Sequence, residues 1–595
     1  MKRFILLAAV LAVCAPFATA QSRFDLHEVR WTLRPDPSGE SIAMSMRLAP
    51  LHERERLVLR LPLWRPGSYR YASYERRLSG LRAVDQDGVE RAILSLDPRT
   101  WEVDTRGAAA LTVTYACDSD NEAESGATPA VHLHAPSVFL YADDTLPLSQ
   151  SLRFELPPGW DVASGHRPDP LEPGAVRAPD YDVLVDCPIL LGELERSTFT
   201  SHGKPFEVVL AGKRPGADQF SREEWLRKLS AIVDAAYDVV GDFPFERYVF
   251  LFVFSDIGGG YGLEHLNSTT IEFNHQAVRS GQLEGLESVT AHEFFHLWNV
   301  KRIRPQPLGP FDYSSDVRTK DLWWLEGVTS YYADVILQRA GLRGPDGDWF
   351  YAAQAGNFRN LRQEPGYLQL SPERASWTVW EEDAHPYISY YDQGQALGLA
   401  LDLQIRIHTQ NRRSLDDVVR FLHRWVRYPE PGYREGDLER AIHAVTGWDC
   451  AAFFDRHVSG LLDLPWGEIA PAAGLSLVDR TAGEPYLGFG MDDEQRLRVG
   501  SEGVMFDAGL RDGDRLRRLA GVDIEDRADL RRVLGTLTPS AGADVVVERD
   551  GAVLELSVPV RERTQHLFQL SADPAAPPEC RAIAEGVVRG IPAGV

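Results

Sequence analysis

Five residues near the middle of the chain, His292-Glu293-Phe294-Phe295-His296, restrict the fold more than any other stretch. Side chains four apart share a face only on an α-helix, so both imidazoles reach one ion only if this segment is helical. Glu293 then sits beside the water that the ion would activate. Leu286, Val289, Phe295, Leu297 and Trp298 make the helix apolar, which predicts burial in a core. The motif alone is weak: among sixteen histidines in 595 residues the spacing arises by accident in roughly a few per cent of chains. Two surface histidines on an amphipathic helix would look the same. A catalytic zinc also needs a third protein ligand and an open position. Glu326 supplies the ligand from a second helical run, LWWLEGVTSYY at 322–332, where a carboxylate must be paired or metal-bound to be tolerated. No histidine between 297 and 313 competes with it. The expectation is one Zn2+ per chain on His292, His296 and Glu326, with Glu293 as general base.

A chain of 595 residues exceeds what one core supports, so several domains are expected. Residues 21–197 carry short alternating stretches (Asp25–Leu33, Ser41–Leu48, Arg56–Leu63, Leu111–Tyr115, Leu152–Leu156) cut by Pro and Gly, which predicts a β-rich N-terminal domain. Residues 198–475 read as a mostly helical lobe. Ser221 caps a helix over Glu223–Val240, an apolar strand covers Tyr248–Phe254, and helical patterns recur at Glu284–Asn299, Lys320–Ala340, Gln393–Thr409, Ser414–Tyr428, Leu438–Val445 and Ala451–Leu461. Residues 483–563 change character. A helix is expected at Arg527–Leu534, and strands Asp544–Arg549 and Val553–Val560 are joined by Asp550-Gly551. The stretch 564–595, with several Pro and Ala, is expected to be a tail.

The formal charge of -24 and the lack of a basic run exclude nucleic acid and an anionic membrane as natural partners. Residues 1–20 have the pattern of a signal peptide: Lys2-Arg3, the apolar run Phe4–Val13, and Ala18-Thr19-Ala20 before Gln21. No later segment is apolar for long enough to span a bilayer, so the chain is expected to be exported, periplasmic or extracellular. Cys117 and Cys187 could pair in an oxidising compartment, but buried thiols are the plainer reading, and no CxxC spacing suggests a cysteine metal site.

The stretch HEFFHLWNVKRIRP at 292–305, with LWWLEGVTSYY, resembles the glycyl-aminopeptidase family of zinc metallopeptidases. WRPGSY at 64–69, DYDVLVD at 180–186 and FPFERY at 243–248 are similar to other signatures of that family. The resemblance implies a multidomain α+β protein with a β-rich N-terminal domain, a thermolysin-like catalytic domain and a C-terminal PDZ domain at 483–563. It implies that Glu264, in Tyr261-Gly262-Leu263-Glu264-His265, binds the free α-amine of a peptide with Gly262 beside it, although a Gly-rich run can be only a turn. Tyr391, in Tyr390-Tyr391-Asp392-Gln393-Gly394, would donate to the oxyanion, with Gln393 where such enzymes usually have Lys. Ser330 replaces the acidic residue that usually orients a ligand histidine, which leaves Asn299 or Asp334 to hold the imidazoles. The Tyr486–Gly490 loop would capture a peptide C-terminus, or the module would serve as a spacer. The implied activity is release of N-terminal residues, with a family preference for Gly and Ala. Its rivals are an endopeptidase with the same zinc chemistry and a PDZ-based binding protein with a relic peptidase lobe.

Overall fold

The structure, a computed structural model, describes residues 28–51, 54–119, 130–216, 219–381, 386–499, 504–562 and 566–590. The expected signal peptide lies outside these residues. Contacts divide the chain into two units, Met1–Leu63 with Ala72–Glu193, and Trp64–Tyr71 with Leu194–Val595.

The first unit is β-rich, as period-two patterning requires. In Ser41–Ala49 the side chains of Ile42, Met44, Met46 and Leu48 turn inward, and in the paired strand Leu111–Asp118 those of Leu111, Val113, Tyr115 and Cys117 do the same. These strands lie within a seven-stranded sheet. The signature at 180–186 is a short helix, Tyr181–Asp186, capped by the Asp180 carboxylate, which accepts from Val183 N at 2.8 Å. Cys117 and Cys187 are buried and not joined in a disulfide, in keeping with the plainer reading of the cysteines.

The second unit opens on a five-stranded sheet in the order Glu195–Ser201, Lys204–Gly212, Tyr248–Ser255, Ser268–Asn274, Gly260–Glu264. Tyr248–Ser255 (YVFLFVFS) is apolar throughout and central, and it pairs in parallel on both sides. Helix Arg222–Val240 starts where expected, with the Ser221 hydroxyl accepting from Glu224 N. The Gly-rich segment expected as a loop is an edge strand instead: Gly260–Glu264 runs antiparallel to Ser268–Asn274, with Gly262 opposite Ile271. Beyond it the chain is helical from His275 to Ala472 among the described residues, including helices Asp348–Gln363 and Pro372–Trp377, which sequence reading passed over. No described helix is long and apolar enough to cross a membrane.

The expectation of a C-terminal tail does not hold. Phe568–Ala572 pairs antiparallel with Leu475–Asp479, and Pro578–Arg589 is a helix burying Ile583, Ala584, Val587 and Val588 in the same core as the metal-motif helix. Its carbonyls accept hydrogen bonds from that core: Ala584 O from Tyr351 Oη at 3.1 Å, Val587 O from Arg339 Nη2 at 3.0 Å, and Ala582 O from Asn411 Nδ2 at 2.8 Å. Between the two strands, residues from Pro485 to Glu562 build a small core of their own around Leu516, Val545 and Val547. A four-stranded sheet and helix Arg527–Leu534 enclose it.

Candidate metal centre and active site

The motif helix is shorter than its pattern suggests. Glu284–Phe295 is α-helical, with His292 in its last turn and His296 as its C-cap. Their Nε2 atoms lie 3.0 Å apart, and Glu326 Oε2 is 3.4 Å from His292 Nε2 and 3.2 Å from His296 Nε2. Metal–ligand bonds of about 2.0–2.1 Å in a tetrahedron put ligand atoms roughly 3.3 Å apart, so the three atoms span one face of such a site. The electrostatics agree. Burial pushes His292 down. At His296 burial also acts downward, but Glu326, then Glu264 and Glu293, outweigh it and lift the ring to about 10. Three carboxylates around two imidazoles suit a divalent cation, which would take the place of that proton.

Backbone geometry aims each ligand. Asn299 O is 2.6 Å from His296 Nδ1, and a carbonyl can only accept, so Nδ1 carries the proton and Nε2 keeps its lone pair. Ser330 Oγ donates to Glu326 O at 3.1 Å and therefore accepts from His292 Nδ1 at 3.3 Å, with the same effect on the other ring. Of the two residues considered for this task, Asn299 serves through its backbone. Asp334 does not: its carboxylate accepts from Gln354 and Gln395.

Glu326 lies in a π-helical segment, Trp323–Val328, that continues as helix Thr329–Arg339. Such a widened turn re-aims a side chain without ending the helix. It abuts the N-terminus of helix Tyr390–Thr409 backbone to backbone: a Cβ on Gly394 would fall 1.8 Å from Trp323 O. That contact holds the first turn of the second helix, with Tyr390 and Tyr391, beside the metal ligand. The Tyr391 ring is 6.1 Å from that of His292 and 38% exposed. Gln393 turns away and donates to Leu370 O at 2.9 Å.

The edge strand brings in the remaining residues. One carboxylate oxygen each of Glu264 and Glu293 and a ring nitrogen of His296 lie within 4.8 Å of one another. Glu293 is buried, and its Oε2 has no partner among the described residues. Burial, with Glu264 and Glu326 nearby, holds its carboxyl well above the usual carboxylate range despite the His296 charge. Burial raises Glu264 too, offset in part by His296 and Lys301. Gly262 is essential to this packing, because a Cβ there would meet Glu293 Cγ and Oε1 at 2.3 Å.

Residues 33–193 match the family model of the M61 peptidase N-terminal domain, and residues 286–397 match that of the M61 glycyl aminopeptidase. Over these two stretches the chain is similar to the M61 peptidases. It is therefore a hydrolase of peptide bonds. Among curated proteins none matches it. An aminopeptidase N family protein from Idiomarina loihiensis has a similar fold, with a TM-score of 0.75 and 22% identity over 93% of this chain and 99% of that one. One site residue escaped the sequence reading. Tyr69, noted only as part of a family signature, is close enough to Glu326 and Glu264 for both charges to act on its phenol. No periodic pattern signals it, because it arrives on a loop from far away in sequence.

Proposed function

We propose that this peptidase is a single-zinc aminopeptidase that releases one residue at a time from peptides with a free N-terminus, small residues such as Gly and Ala first. The observation that carries this reading is Glu264, a carboxylate only 6% exposed, set within 4.8 Å of Glu293 and His296. Such a group calls for a cation, and an α-ammonium, with a reference pKa of about 7.7–8.0, supplies one at the end of a chain. The cavity beside it, lined by Gly67, Tyr69, Glu264 and Lys301 among others, has about 20 Å³. That is room for roughly one water or methyl group, which favours a small first side chain.

His292, His296 and Glu326 would hold a zinc, which would supply Lewis acidity for the carbonyl and for a water. Glu293 then takes the proton of the attacking water and delivers it to the leaving amine. Its raised affinity for protons suits both halves of that task. Tyr391 donates to the oxygen of the scissile carbonyl as charge builds there, and Glu264 fixes the amino end. Because Gly262 sets the room for Glu293, Gly262→Ala should displace the base by about an ångström. A loss on the order of a hundredfold in kcat with a somewhat lower melting temperature is expected; a rate within twofold of the parent would show that Glu293 tolerates the shift.

One observation favours the endopeptidase: Lys301 is a resident positive charge within reach of Glu264. Cleavage of free and N-acetylated Ala peptides separates the readings. The aminopeptidase should cleave the free form at least about a hundredfold faster, since acetylation removes the charge and leaves a buried carboxylate unpaired. Glu264→Ala should erase most of that ratio. Equal rates on both forms would make the protein an endopeptidase. We further assign residues 1–20 as an export signal, and residues 483–563 as a PDZ module taking a peptide C-terminus at Tyr486–Gly490.

A further inference from the structure

We infer that Tyr69 is a catalytic residue, its hydroxyl donating a hydrogen bond to the scissile carbonyl oxygen alongside Tyr391. The loop that carries it is built into the peptidase unit: contacts group Trp64–Tyr71 with Leu194–Val595, although the residues on either side, Leu63 and Ala72, belong to the β-rich unit. Its anchors are specific. Trp64 Nε1 donates to Asp312 O at 3.1 Å, and the Trp64 ring meets Phe311 and Trp380 edge to face at 5.5 and 5.4 Å. Arg65 Nη2 donates to Tyr261 Oη at 2.9 Å, on the edge strand that carries Glu264. At Gly67, where φ is +83°, a Cβ would lie 2.5 Å from Leu263 Cδ1 and 3.0 and 3.1 Å from the two Glu264 carboxylate oxygens. The loop thus rests directly on the proposed amine anchor, and Tyr69, edge-on to Trp380 at 6.1 Å, lines the cavity beside Glu264.

The phenol is in the state the role needs. Burial first, then the charges of Glu326 and Glu264, hold its pKa well above the ordinary tyrosine value, so the hydroxyl keeps its proton. Tyr69 lines the same cavity as Glu264, which sets its hydroxyl beside the first residue of a peptide whose amine Glu264 holds. A peptide with its amine at Glu264 and its carbonyl toward the metal triad offers one acceptor there, the carbonyl oxygen. The orientation of the peptide rests on the aminopeptidase reading; the place of Tyr69 beside Glu264 does not.

The test uses the full chain loaded with zinc. Tyr69→Phe keeps the ring against Trp380 and removes only the hydroxyl. On unblocked Ala-p-nitroanilide, kcat should fall by about thirtyfold or more while KM changes little, and the Kd of a phosphinic peptide analogue of the tetrahedral species should rise by a similar factor. Metal content and melting temperature should match the parent. Tyr391→Phe should behave alike, and the double variant should lose less than the product of the two, because both donors serve one oxygen. A Tyr69→Phe enzyme within twofold of the parent overturns the proposal, and so does a loss that tracks missing metal or a lower melting temperature, which would make Tyr69 structural. If the parent enzyme cleaves free and N-acetylated peptides at equal rates, the aminopeptidase reading fails on its own, and the Tyr69 comparison is read on whichever peptide the enzyme cleaves.

Discussion

Glu293→Gln should retain a full equivalent of zinc and a melting temperature no lower than the parent while losing about a hundredfold to ten-thousandfold in kcat, the usual range for a general base. Each half of this outcome has its own cause. The proposed ligands are His292, His296 and Glu326, and the Nδ1 and backbone partners that orient them do not involve Glu293. Gln has nearly the same shape, so the packing against Gly262 survives. The carboxyl sits where burial and two neighbouring carboxylates oppose its ionisation, so a neutral amide removes an unfavourable charge. What the amide cannot do is accept the proton of the attacking water. Metal analysis, calorimetry and initial rates on one preparation check all of this. A variant that kept a tenth or more of the parent rate would remove Glu293 from the role of base.

The second large effect concerns the C-terminus. Cutting the chain before Gly483 should yield protein that fails to fold or aggregates, because it deletes helix Pro578–Arg589 and strand Phe568–Ala572. That loss strips Ile583, Ala584, Val587 and Val588 from the shared core and takes the acceptors from Tyr351, Arg339 and Asn411. Each buried aliphatic side chain lost costs about 1.5–3 kcal/mol, and stranding the buried Arg339 donors adds to it, against a total stability of about 5–15 kcal/mol. Excising the module is a different operation. Asp479 and Phe568 stand opposite each other in paired strands, so a short Gly-containing turn replacing residues 481–566 should close the hairpin and leave a folded enzyme active on short peptides. Circular dichroism and rates on a p-nitroanilide separate the two designs. A folded, active product of the simple truncation would show that the last helix is dispensable.

Where local chemistry decides structure, the sequence was readable. Ser221 and the stripe from Trp225 to Val240 announce their helix, alternation in Ser41–Ala49 announces its strand, and the spacing of His292 and His296 with a lone Glu326 among apolar residues announces that the three cluster. Where long-range packing decides, it was not. Nothing in LWWLEGVTSYY signals that Trp323–Val328 winds as a π-helix, since that turn depends on the contact with Gly394. Gly260–Glu264 reads as a turn because glycine has little strand propensity, yet pairing with Ser268–Asn274 and the room Glu293 needs make it a strand. The last helix hid behind its Pro and Ala, although Ile583, Ala584, Val587 and Val588 recur at helical spacing. Tyr69 had no local signal at all; its meaning comes from where the loop lands.

That landing has a consequence for how such enzymes can be recombined. Accessory domains are ordinarily exchanged at a single junction in a linker. In this chain a junction at residue 193 would keep every proposed metal ligand and still discard Trp64–Tyr71, the segment packed on Glu264. A functional chimera would need matched crossovers at 63/64, 71/72 and 193/194. The loop therefore ties the inheritance of the β-rich unit to that of the peptidase, and single-crossover shuffling between distant relatives should return folded proteins with impaired sites.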